Sequence, residues 1–144
     1  MAMEYRRITA LEIAPLWERQ LAYKDEIGEG APADGARERL KAAIEEQRIL
    51  FFGAWDGRVL VGCCSVTVGF STFDYAPSGV FEDFYILPEY RHTGVARKLV
   101  EAAAMASGVS TLTVGCADCD AAMYAALGFS SRIGNLLAFD REDR

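Results

Sequence analysis

The chain has 144 residues, 51% of them hydrophobic and 25% charged. That is globular composition rather than disorder, with room for one domain and a real core. The formal net charge of −6 argues against general nucleic-acid binding. The opening MAMEYRRIT has no apolar h-region, and the longest apolar run, residues 59–70, is too short for a bilayer and holds polar residues. The expectation is therefore a soluble, cytoplasmic protein with neither a membrane nor a nucleic-acid partner.

Residues 4–8 read as a short first strand. Thr9-Ala10-Leu11-Glu12 has the spacing of a capping box, and Ile13, Leu16, Trp17 and Leu21 then recur along one helical face. Residues 28–35 (GEGAPADG) are a loop, since glycine and proline interrupt periodic structure. A second helix follows over 37–47, with Leu40, Ala43 and Ile44 inward. Residues 49–55 and 58–68 form a hairpin turning at Asp56-Gly57, and 70–79 make a polar, aromatic connection.

Apolar, β-branched and aromatic residues then fill a central strand over 80–87. Pro88 stops it for want of a ladder N–H. Beyond a glycine-containing turn, Val95, Leu99, Ala102 and Ala106 mark the buried stripe of a long helix. Residues 111–115 are another strand. Asp118 or Asp120 caps a short helix that runs through Leu127, and Gly128 ends it. Last strands are expected at 129–132 and 136–139. The alternation of strands and helices around a hairpin gives an α/β domain with a mixed sheet, spanning 1–144 as one unit.

Four cysteines invite a disulfide or metal reading. Cys63 and Cys64 are adjacent in a strand, so their side chains point to opposite faces and cannot readily bridge. Cys116 and Cys119 form a lone CxxC; zinc would require two more well-spaced ligands, and the single histidine, His92, lies elsewhere. Free thiols and no metal are expected, with redox pairing of Cys116 and Cys119 as the other option.

The chemistry gathers at the turn after the central strand. A helix opening there points unpaired N–H groups and the positive end of its dipole outward, which suits an anion, most often phosphate. The turn lacks GK[ST] and GxGxxG, so neither a nucleoside-triphosphate loop nor a dinucleotide fingerprint is present. What stands there is Arg91-x-x-Gly94-x-Ala96, between the strand GVFEDFYILPEYR and the helix VARKLVEAA. Tyr124-x-x-x-Gly128-Phe129 follows downstream. Together these resemble the acyl-coenzyme A signature and the later YxxxGF element of the GNAT superfamily of N-acetyltransferases. The resemblance is firm over residues 49–129.

The resemblance implies a mixed, mostly antiparallel sheet, splayed between its middle strands and flanked by about four helices, with the pantetheine arm of acetyl-CoA in the splay. It places the pyrophosphate on the turn, at Arg91, His92, Thr93, Gly94, Val95 and Ala96. Arg97 or Lys98 would reach a phosphate, and the backbone of Ile86 and Leu87 would pair with the pantetheine amides. Tyr124 becomes the general acid that protonates the departing thiolate. Glu82 and Asp83 resemble the carboxylates of members that acetylate small amines. Regular alternation puts Glu82 on one face with Phe84 and Ile86, which favours Glu82 as base. Asp83 can join it only if a bulge twists the strand. Asp83 and Tyr75 are candidates for acceptor binding. The expected activity is acetyl transfer to a small primary amine by direct attack. Homodimers are frequent in the family. A silent acyl-CoA-binding module and a CxxC redox protein stand as alternatives.

Overall fold

The computed structural model describes residues 3–141, and its internal contacts divide the chain into two compact units at residues 114 and 115. The first unit holds strand β1 (Met3–Ile8), helix α1 (Ile13–Glu26), helix α2 (Ala36–Glu45), β2 (Leu50–Asp56), β3 (Val59–Ser71), β4 (Ala76–Ile86), helix α3 (Val95–Ala106) and β5 (Thr111–Val114). The five strands lie in sequence order across one sheet, β1-β2-β3-β4-β5. The first three pairings are antiparallel and β4–β5 is parallel, so α3 serves as the crossover that parallel neighbours require.

At the start of α1 the expected capping arrangement forms. The Glu12 carboxylate accepts the Thr9 N–H at 2.9 Å and a two-pronged bond from Arg6 at 2.8 and 3.1 Å. That pairing with Arg6 holds the Glu12 carboxyl below its usual value, against the opposing pull of burial. Ile13, Leu16 and Gln20 are the buried residues of α1; Leu21, expected inside, is 40% exposed. The inner row runs Leu16, Gln20, Tyr23, and Leu21 falls off it.

The β2–β3 hairpin turns through Gly57 and Arg58, because Asp56 still pairs with Val59; Gly57 supplies the positive φ (+61°) that such a turn demands. The next connection is shorter than expected. β3 runs on to Ser71 and β4 begins at Ala76, so residues 70, 71 and 76–79 are paired strand and only 72–75 turn. Pro77 is accommodated close to the start of its strand, where a missing donor costs least.

One face of the sheet carries a core in which Ile13, Leu16 and Ile44 from the first two helices meet Phe51, Trp55, Cys63 and Tyr85. The other packs against α3, whose buried residues are Val95, Leu99, Val100 and Ala103. Ala106 is exposed and Ala102 half-buried, so the buried stripe of α3 lies one residue round from the expected one. No helix among the described residues is long and apolar enough to cross a membrane.

The second unit contains a 3-10 turn (Asp118–Asp120) and helix α4 (Ala121–Ala126). α4 ends in a Schellman cap: Phe129 N–H donates to the Tyr124 carbonyl at 3.0 Å and Gly128 N–H to that of Ala125 at 3.1 Å. Gly128 takes φ +115°. The strands expected at 129–132 and 136–139 do not form. Residues 129–141 have no regular structure, and Leu136, Leu137 and Phe139 are exposed. A short apolar run becomes a strand only where a partner supplies its ladder.

Candidate active site

β4 and the turn after it carry most of the residues the sequence singles out. The β4–β5 ladder runs from Ser78 and Thr111 to Phe81 and Val114 and stops there. β4 continues for five more residues, to Ile86, with β3 as its ladder partner. The sheet therefore opens between its last two strands at the end where the turn lies.

Within that stretch sits a β-bulge. Between the pairs Ser65–Glu82 and Cys63–Tyr85, β3 advances by two residues and β4 by three. Asp83 absorbs the extra step with φ +55°, a region that costs a non-glycine residue about 1 kcal/mol. The side-chain phase then slips by one. Tyr85 points to the α1 face, where it joins the core. Phe84 packs edge-on against Phe81 at 5.3 Å between ring centroids, and Ile86 lies with Leu99 of α3 beside Gly62. The expectation that Glu82 shares a face with Phe84 and Ile86 is thus overturned. The bulge instead brings Glu82 and Asp83 to one face, the condition for both to serve one site.

The Asp83 carboxylate accepts a 2.6 Å bond from the buried Ser65 hydroxyl. On α1, Tyr23 and Lys24 both feel the charge of this carboxylate. The Tyr23 phenol is raised above its usual value by burial, and the charges of Asp83, Glu29 and Glu82 add to that. Burial opposes the Lys24 ammonium, yet its bond to Glu29 and the charges of Glu29 and Asp83 raise it overall. Tyr75 lies in the turn before β4, three-quarters exposed. It is eight residues from Asp83, roughly 26 Å along an extended strand, so the structure does not bring it to the bulge.

The turn begins with a 3-10 turn (Pro88–Tyr90), after which His92 and Gly94 both take positive φ, +62° and +90°. Gly94 is the N-cap of α3, and a Cβ placed there would meet no atom within 4 Å. The space in front of the helix N-terminus is open to a ligand that approaches the backbone. A cleft of about 830 Å³ adjoins it, lined by Tyr5, Asp56, Tyr90, Thr93, Gly94 and Lys98, among others. Tyr90 donates its hydroxyl to Asp56 at 2.6 Å, and that bond raises its phenol above the usual value.

Arg91 is occupied otherwise than the resemblance implies. Its Nε donates to the Ile86 carbonyl at 2.8 Å, and a terminal nitrogen pairs with Glu26 of α1, also at 2.8 Å. Leu87 is engaged as well, donating its N–H to Val61 and accepting from Tyr90. Arg91 thereby ties the strand end and α1 to the turn.

In the second unit, Tyr124 is half-buried and its ring meets that of Phe129 edge-on at 5.9 Å. The spacing of Tyr124-x-x-x-Gly128-Phe129 is the spacing of the helix cap itself, with the two rings supplying its usual hydrophobic contact. Cys116 and Cys119 are exposed free thiols, whereas Cys63 and Cys64 are buried. Among the described residues no cluster of three or more His, Cys, Asp or Glu is placed to hold a metal ion. Sequence reasoning missed Ser65, Lys24 and Glu26, whose roles arise only from strand pairing and helix docking.

Known structures share this architecture. An aminoglycoside acetyltransferase from an uncultured soil metagenomic sample, solved with trehalose, superposes with a TM-score of 0.77 at 13% identity, over 96% of this chain and 95% of its own. Glucosamine-6-phosphate N-acetyltransferase from Arabidopsis thaliana gives 0.72 at 14% identity, over 96% and 99%. A predicted acetyltransferase from Clostridium acetobutylicum, solved with acetyl-CoA, gives 0.74 at 14%, over 96% of each chain. At such identities the likeness is one of fold. No curated protein sequence is significantly similar. The family model described as "Acetyltransferase (GNAT) domain" matches residues 47–131, which is more than half of the chain and takes in β2, the bulge, the Gly94 turn and the α4 cap. Carrying both motifs and matching that family model over more than half of its length, the chain belongs to the GNAT acetyltransferase family and is an acyl-CoA-dependent N-acetyltransferase.

Proposed function

We propose that this enzyme moves an acetyl group from acetyl-CoA to the primary amine of a small molecule, by direct attack within a ternary complex. The observation that carries the reading is the run of β4 past the end of β5 into a turn whose Gly94 leaves the α3 N-terminus uncovered. Backbone N–H groups of residues 92–96 would hold the pyrophosphate there, with Lys98 or Arg97 adding charge. Strand-like pairing of the pantetheine amides with Ile86 would share its carbonyl with Arg91, since a carbonyl oxygen has two lone pairs. Bound acetyl-CoA supplies the thioester; the remaining steps fall to this chain's own groups.

An alkylammonium must lose a proton before it attacks, which at pH 7 costs roughly 4–5 kcal/mol for a pKa near 10.4. Carboxylates on the acceptor side attract the cation and take up that proton, directly or through water. The shared face of Glu82 and Asp83 supports that role for the pair, and the hydrogen-bonded Asp83 is the better held of the two. Tyr124 is assigned as the general acid toward the leaving thiolate, on the strength of its place in the YxxxGF element. Structural neighbours named for aminoglycoside and glucosamine-6-phosphate acetylation support a small, polar amine as acceptor.

The test is thiol release from acetyl-CoA with sisomicin, glucosamine 6-phosphate and spermidine, alongside calorimetry of acetyl-CoA binding. Tight binding with no release across the panel would favour a silent binding module. For the acid role, Tyr124→Phe is expected to lower kcat about 100-fold while the Kd for acetyl-CoA stays within about twofold. Parental turnover in that variant would remove Tyr124 from the mechanism.

A further inference from the structure

Ser65 has no assignment in the reaction, yet its setting is unusual. It lies in β3 inside the run from Val61 to Val66, every residue of which is buried. Ser65 is itself 0% exposed. Apart from Gln20 it is the only buried polar or charged residue among those described. A hydroxyl in such a place needs a partner, and a backbone carbonyl of its own sheet would be the bland choice. Instead it crosses to β4 and donates to Oδ2 of Asp83 at 2.6 Å, a short, charge-assisted bond.

The recipient is the residue on which the bulge turns. Asp83 sits at φ +55°, and a non-glycine residue persists there only where its surroundings over-determine it. Bulges beside active sites re-aim side chains, but a backbone kink alone leaves the carboxylate free to rotate about its own bonds. Engaging Oδ2 from a rigid neighbouring strand removes that rotation and turns the second oxygen away from Ser65. The charged and titratable groups around this carboxylate are Tyr23 and Lys24 of α1, Glu82 beside it, and the thiols of Cys63 and Cys64, both raised by burial and by the charge of Asp83, that of Cys63 to about 12. Lys24 is already paired with Glu29 at 3.1 Å.

We propose that Ser65 is a positioning residue for the acetyl transfer: its buried hydroxyl fixes the Asp83 carboxylate in the orientation that receives the acceptor ammonium. The inference rests on reading the bulge as the acceptor side of the site.

The experiment is a double-mutant cycle on the full chain, with acetyl-CoA and sisomicin, glucosamine 6-phosphate or spermidine, whichever is turned over. It is joined by a crystal structure of Ser65→Ala, which requires no acceptor. Ser65→Ala is expected to lower kcat about tenfold, with KM for acetyl-CoA within about twofold. Ser65→Thr, which keeps the hydroxyl, is expected to recover most of the loss. In an Asp83→Asn background Ser65→Ala should cost little more, because the two residues act as a unit. In the crystal of Ser65→Ala, the Asp83 carboxylate should rotate away from its parental position. An unmoved carboxylate, or equal losses of rate and melting temperature in both backgrounds, would overturn the inference and leave Ser65 a packing residue. If Asp83→Asn itself keeps full activity, the reading of the bulge as the acceptor side falls, and the role of Ser65 with it. An impaired Asp83→Asn beside a normal Ser65→Ala removes the role of Ser65 alone.

Discussion

Gly94 and Asp83 both occupy positive φ, and the contrast between them shows how much a single residue type discloses. Gly94 does so at no steric cost, and a methyl group there would touch nothing in the protein. Gly94→Ala should therefore lower stability by only about 1 kcal/mol, from backbone strain. The same methyl would stand in the path of a phosphate approaching the helix end. Calorimetry is expected to show acetyl-CoA binding weakened at least tenfold while the melting temperature falls by a few degrees. A glycine opening a helix after a strand is legible in the sequence for this reason. Asp83 and Ser65 are not, because a bulge exists only as a difference in count between two strands, and neither strand records it alone. Glu12 offers a separate test. Its carboxyl titrates below the usual 4.5 when folded, so its contribution to stability is complete above that value and is lost as pH falls through the lower, folded one. Glu12→Gln keeps the capping geometry and removes the charge. Urea unfolding should show the variant less stable than the parent at pH 7, with the gap closing as the pH falls below the usual carboxylate range.

At the level of elements, local signals served well where the chain closes its own hydrogen bonds. The capping arrangement at Thr9 and Glu12, the tight β2–β3 turn and the glycine-ended α4 all follow from side chains within a few residues of one another. They fail where a distant partner decides. Residues 70, 71 and 76–79 look like a loop, yet each strand finds the other and the hairpin lengthens. Residues 136–139 look like a strand and have no ladder. The buried stripe of α3 shifts by one residue because its docking on β3, β2 and β1, rather than the apolar pattern alone, sets the rotation. Arg91 is the instructive mixed case. Its place in the motif was plain, but its guanidinium joins the end of β4 to α1. Both members of its ion pair are more than a third exposed, so that link positions elements more than it stabilises them.

For the molecule as a whole, the mixed sheet and the helix count were legible, since strand and helix periodicities dominate a chain of this composition. The opening between β4 and β5 came only through the family resemblance, as no local pattern says where a ladder stops. The four thiols now sort by environment: Cys63 and Cys64 are buried and raised, Cys116 and Cys119 exposed. Native protein treated with iodoacetamide should take up label at Cys116 and Cys119, and at Cys63 and Cys64 only on unfolding; mass spectrometry of the peptides reads this directly. The strand order has a consequence in time. Because the strands sit across the sheet in the order of translation, each can add to a neighbour that has already left the ribosome, at the ordinary pace of about 5–20 residues per second. β4, however, is complete some 24 residues before β5 begins, so at that pace the opening edge of the nascent sheet stands uncovered for about one to five seconds. A sheet built in sequence needs no late strand insertion, and the last open interval during its synthesis falls on the same edge that the proposed cofactor would later occupy.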